Sequence, residues 1–100
     1  MAFENYVQPS ILHFDGHHYD HWSMLMENFL RSKECWIVVE AGVPEPTASA
    51  DAAQRAEIEK EKLKDLKAKN YLFQAIDQAI LETILNKSTS KTIWDSMKKK

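Results

Sequence analysis

Between Tyr19 and Phe29 the large apolar residues return at intervals of three, four and three: Tyr19, Trp22, Met26 and Phe29. An α-helix places residues so spaced on one face, and Leu25 and Leu30 widen that face. Asp20 stands in the first turn, where the helix dipole favours a carboxylate, and Arg31 and Lys33 stand near the end. Burying each large apolar side chain contributes roughly 1.5–3 kcal/mol, so a helix starting near Tyr19 is expected to anchor the core. The chain has 100 residues with two glycines and three prolines, too little punctuation for a many-stranded fold. The expectation is all-α: one domain spanning 1–100, a small bundle of about five helices with an extended N-terminal arm.

The arm is the stretch 1–18, which has no helical period. Pro9 fixes a backbone angle, Asp15-Gly16 signals a turn, and Val7, Ile11, Leu12 and Phe14 are apolar enough to lie across a core. After the first helix, Gly42 and Pro44 close a segment expected to be a short second helix containing Trp36. The β-branched run Ile37-Val38-Val39 would also suit a strand, but no partner strand is evident. Residues 43–50, with Pro44 and Pro46, read as a linker. Asp51 and Gln54 form a capping-box pattern that starts a long third helix, with Ser49 a competing cap. Its surface pairs are Glu57–Lys60, Glu61–Lys64 and Asp65–Lys69.

The apolar stripe of residues 51–69 is thin, consisting of Ala56, Leu63 and Leu66, so these turns are expected to face solvent or another molecule. Burial is expected to rise from Tyr71 through Leu72, Phe73, Ile76, Ile80, Leu81, Ile84 and Leu85. Asn70 and Asp77 share the heptad line of Leu63 and Ile84 and interrupt any coiled-coil seam, so a bend or a new helix is expected near Asp77. Residues 86–90 form a turn, with Ser88 or Ser90 as the cap of a final helix bearing Ile93, Trp94 and Met97. The expected structural core is therefore Tyr19, Trp22, Met26, Phe29, Trp36, Phe73, Ile76, Ile80, Ile84 and Trp94. The candidate protein interface is Ile11 and Phe14 on the arm, with Ala56, Leu63 and Leu66 on the third helix.

Catalytic chemistry is not indicated. His13, His17, His18 and His21 cluster near Asp15 and Asp20, and His17 and His21 have the i, i+4 spacing of zinc ligands. The helix begins after His17, however, and no H-E-x-x-H glutamate is present, so solvated histidines are the expected outcome. Cys35 has no base beside it and reads as a small core residue; as the single cysteine it forms no internal disulfide. Two glycines cannot build a phosphate loop. No catalytic residue, metal or cofactor is expected, and the protein is not expected to be an enzyme.

Charge is uneven along the chain. Residues 1–50 carry seven acidic and two basic side chains, and residues 51–100 carry eight acidic and eleven basic ones. The lysines of the second half alternate with glutamates, which suits a solvated helix surface better than a phosphate-binding face. No apolar run approaches the roughly eighteen residues of a membrane helix, and no signal sequence is evident. No membrane is expected, and the setting is expected to be intracellular and cytoplasmic. A helical pattern still runs at Lys98-Lys99-Lys100, so the domain is expected to continue beyond Lys100.

Taken in order, Phe14-Asp15-Gly16, Tyr19, Trp22, Met26 and Leu30, then Trp36, Val39, Glu40 and Gly42, resemble the amino-terminal Gag region of copia-type LTR retrotransposons, elements common in plants together with host genes derived from them. In the second half, Ala75-Ile76 through Ile84 and the run Ser90-Lys91-Thr92-Ile93-Trp94-Asp95-Ser96-Met97 are similar to two further stretches of that region. The resemblance covers about residues 8–97. His18 stands where asparagine is usual and Cys35 where leucine is common; Ile93 and Met97 also vary the pattern. The resemblance implies a capsid-type helical lobe that associates with copies of itself in particle assembly around RNA. The alternative is a domesticated host module that binds a protein or peptide. Direct RNA contact, through Lys60, Lys62, Lys64, Lys67 and Lys69 together with the terminal lysines Lys98, Lys99 and Lys100, has the weakest support.

Overall fold

The computed structural model describes residues 13–98. They form five helices: α1 (Tyr19–Ser32), α2 (Trp36–Ala41), α3 (Ala52–Ala75), α4 (Gln78–Leu81) and α5 (Ser90–Lys98). No strand occurs among the described residues, and the fold is all-α. Residues 1–12, and with them Ile11 and most of the arm, lie outside the described residues.

Each helix starts or stops for a local reason. The carbonyl of His18, in the left-handed region at φ 58°, accepts the first helical bond of α1 from Trp22 N–H at 3.0 Å. At the end of α1, Glu34 also turns left-handed (φ 61°), and Cys35 N–H donates back to Leu30 carbonyl at 2.9 Å, so α2 begins almost at once. Gly42, at φ 83°, ends α2; a Cβ there would lie 3.2 Å from Lys91 Cδ, so the position favours glycine for conformation and for space. Asp51 starts α3 with a complete capping box: its Oδ1 accepts from Gln54 N–H at 2.8 Å, and Gln54 Oε1 accepts from Asp51 N–H at 3.0 Å.

Near Asp77 the chain bends. Ile76 is extended, and Asp77 caps α4 by accepting from Ala79 N–H at 3.1 Å. The extended residue is used: Phe14 N–H donates to Ala75 carbonyl at 2.6 Å and Asp77 N–H donates to Phe14 carbonyl at 2.9 Å. One residue of the arm is thus stitched in parallel to the break after α3.

The core lies where α1, α2, α3 and α5 converge. Trp22, Met26 and Leu30 come from α1, Val38 and Val39 from α2, Ala68, Leu72 and Ala75 from α3, and Ile93, Trp94 and Met97 from α5; all are buried. Trp94 stacks on Trp22 at 5.6 Å and meets Trp36 edge-on at 5.2 Å, so one ring ties three helices together. Of the expected core residues, Trp22, Met26, Ile76, Ile84 and Trp94 are buried, while Tyr19, Phe29, Trp36 and Ile80 are half-buried against them. Phe73 is not in the core but 38% exposed, because the 100° step from Leu72 carries it off the inner face. Leu85, just past Ile84, is fully exposed.

A buried carboxylate joins α3 to α5. Asp65 Oδ1 accepts from Ser90 N–H at 2.9 Å and from Ser90 Oγ–H at 2.5 Å. The expected Asp65–Lys69 surface pair is therefore absent; Lys69 Nζ donates instead to Ser88 carbonyl at 3.1 Å. Nor is Ser88 or Ser90 the N-cap. Thr89 accepts from Thr92 N–H at 3.1 Å and Thr92 Oγ1 accepts from Thr89 N–H at 3.3 Å, a reciprocal box one residue before α5. Replacing Asp65 with Ala leaves both Ser90 donors unpaired in the interior. D65A is expected to lower stability in urea denaturation by about 1–3 kcal/mol, whereas K67A, at an exposed lysine, stays within about 0.5 kcal/mol.

Candidate interaction surfaces

α3 has two faces. Ile58, Glu61, Asp65, Ala68, Leu72 and Ala75 recur at alternate steps of three and four and turn towards the domain. Ala56, Leu63, Leu66, Asn70 and Phe73 form a second stripe whose centre lies about 160° away around the helix. Leu63 is 67% exposed and Leu66 52%, so this stripe faces outward. Because apolar residues lie on opposite sides, α3 has almost no net amphipathic direction, and no single-face pattern could reveal its orientation.

Lysines frame the outer stripe. Between Lys62 and Ile76 the only carboxylate is Asp65, and it points inward to Ser90. Lys62 and Lys64 reach back to Glu59 and Glu61 at 3.3 and 3.7 Å. Lys67 is exposed and makes no ion pair with a described residue.

A second surface lies on the other elements. α1, α2 and α5 enclose a groove of about 700 Å³, with Tyr19, Trp36 and Trp94 among its aromatic walls and Met24, Glu27 and Glu40 along its sides. Met24 is 60% exposed, and Ile37, one residue beyond Trp36, is 61% exposed. Arg31 crosses the groove wall, bound to Glu27 at 2.8 Å with its guanidinium 5.3 Å from the Trp36 ring. Trp36 Nε1 is buried with no hydrogen-bond partner among the described residues.

The candidate interface residues are thus divided. Ala56, Leu63 and Leu66 are exposed together on α3. Phe14 is not a surface residue: it is 4% exposed, 5.1 Å from the Trp22 ring and 6.0 Å from Tyr19. Its backbone bonds to the α3–α4 break draw it inward. Phe73, Met24 and Ile37 are exposed apolar residues that pattern reading did not select. Phe73 was detectable, since it falls seven residues after Leu66; Met24 and Ile37 were masked by their buried neighbours.

The histidines do not gather. His17 and His18 rings are 6.5 Å apart and exposed, His13 is 3.7 Å from Asp77, and no group of three or more ligating side chains converges among the described residues. Cys35 is fully buried, and burial pushes its thiol above the ordinary cysteine value despite the opposing pull of Lys67 and Lys64. Tyr19 is also raised, by burial first and then by Asp20 and Asp95.

Both shifts favour the protonated side chain in the folded state. Their stabilisation is present at neutral pH and is lost as pH rises past the unfolded-state values, about 8.5 for cysteine and about 10 for tyrosine. Stability is therefore expected to be level near neutrality with respect to these groups and to fall above about pH 9, as measured by urea melts across pH. A thiol reagent at pH 8 is expected to label Cys35 in the folded chain at least about a hundredfold more slowly than in the unfolded chain. The chain matches no family model, no curated protein and no solved structure.

Proposed function

We propose that this chain is a non-catalytic structural domain of the Gag/capsid type, associating with copies of itself in retrotransposon particle assembly in the cytoplasm. The observation that carries the reading is the pair of exposed apolar surfaces, Leu63, Leu66 and Phe73 on α3 and Met24 and Ile37 on α1 and α2. A small domain that leaves large apolar side chains exposed on two separate faces has the surface of an assembly unit. A further support is that the residues carrying the Gag resemblance, among them Trp22, Met26, Leu30, Val39, Trp94 and Met97, belong to one buried cluster. No described helix is long and apolar enough to cross a membrane.

The groove walled by Trp36 and Trp94 favours a second reading, a domesticated host module that takes a peptide. The surrounding gene discriminates between the two: a downstream protease and polymerase favour the element, a lone short reading frame the host module.

Size-exclusion chromatography with light scattering, across a concentration series, tests self-association directly. The expected outcome is a mass that rises with concentration, with assemblies visible by electron microscopy. A strict monomer at the highest concentration, with no particles, would overturn the proposal.

A further inference from the structure

We infer that self-association runs head to tail, the outer stripe of α3 in one copy docking on the α1–α2 face of the next. This rests on the self-association reading and names its surfaces.

Leu63, Leu66, Asn70 and Phe73 are spaced three, four and three apart, the spacing of a helical seam about two heptads long. Lys62 and Lys69 flank it on one side, Lys60 and Lys67 on the other. Lys60 and Lys62 are paired with Glu57 and Glu59, and Lys69 donates to Ser88 carbonyl, so Lys67 is the flanking lysine without a described partner. Two copies paired through this same face would set each Lys67 against the basic flank of the other, with no carboxylate left to receive it. The charges therefore direct the stripe to a different surface.

The α1–α2 face has the opposite character. Exposed Met24 lies on the same side of α1 as Asp20, and exposed Ile37 stands between Glu34 and Glu40. Asp20, Glu34 and Glu40 make no ion pair with a described residue, whereas Glu27 and Arg31 neutralise each other. Met24 and Glu40 line one groove with Arg31 and Lys98, and both of those cations have carboxylate partners, Glu27 and Asp95. Unpaired carboxylates thus border exposed apolar side chains of α1 and α2, and the unpaired Lys67 borders those of the stripe. Joining the two buries apolar area and pairs the free charges, without requiring either charge in a dry interior. The two patches share no residue, so each copy offers a free stripe and a free acidic face, and association propagates instead of stopping at a dimer.

The test uses two surface variants of the full chain. L66E/K67E blocks the stripe, and M24S/I37S removes the apolar side chains of the acidic face without adding positive charge that could pair with the altered stripe. All four positions are exposed, and circular dichroism and thermal melting confirm that each variant folds. Each variant alone is expected to associate at least about tenfold more weakly than the parent. Mixed one to one, they retain one good stripe and one good acidic face between them, and a 1:1 dimer that grows no further is expected. Raising salt from low ionic strength weakens parent association.

If the parent associates and both variants associate equally well, the surfaces are wrong while self-association stands. A parent that stops at a dimer, with no dimer from the mixed variants, replaces the head-to-tail geometry with a two-fold one. A parent that remains monomeric removes both the inference and the reading on which it rests.

Discussion

The carboxylate of Asp65 determines where the last helix begins. By accepting both donors of Ser90 it holds the start of α5 against the middle of α3, across 25 residues of chain. One turn later stands Trp94, and its ring then lies between Trp22 and Trp36. Ile93 and Met97, on either side of it along α5, are carried into the same core. Four helices thus meet in a fixed arrangement because one polar contact sets the register of an otherwise apolar contact. A hydrophobic surface tolerates sliding, whereas a buried hydrogen bond to a named carboxylate does not.

The consequence for α3 is that its inner face is assigned. With Asp65 turned inward, Ala68, Leu72 and Ala75 follow into the core, and Leu63, Leu66 and Phe73 are left on the outside. The same rotation removes the last carboxylate from the solvent side of that stretch, leaving its surface lysines without an opposing acid between Lys62 and Asp77. The character of the outer surface, apolar with basic borders, thus follows from a structural contact on the opposite side of the helix. The exposed side chains of α1 and α2 arise in a similar way. Trp22, Met26 and Leu30 take the inner face of α1, and Met24 is left outside with Asp20.

The helices with one dominant face were legible in the sequence. The Tyr19, Trp22, Met26 spacing marked α1, Gly42 and Pro44 marked the end of α2, and Asp51 with Gln54 marked the start of α3. These signals are local, being read from spacing, backbone freedom or side-chain reach over three residues. The bend near Asp77 was legible too, because an aspartate and an asparagine interrupt the heptad line. What failed was orientation. Phe73 and Leu85 were assigned to the interior because they are large and follow buried residues, yet each is one helical step or one turn residue off the inner face. Phe14 was read both as an arm residue able to lie across the core and as a candidate interface residue; two backbone hydrogen bonds to the α3–α4 break decide for the core.

What the sequence alone determined is therefore the set of helices, the capped start of α3, the glycine end of α2 and the single buried face of α1 and α5. Those depend on interactions within a few residues, which the order of amino acids specifies directly. Only the tertiary structure decided which of the two stripes of α3 is buried and that Asp65 binds Ser90 instead of Lys69; the Thr89–Thr92 box is local, but Ser88 and Ser90 offered competing caps of the same kind. In α3 apolar residues lie on opposite sides and nearly cancel, so local pattern carries no preference. The choice is made by a partner 25 residues away, and with it the location of the exposed surface on which any association must depend.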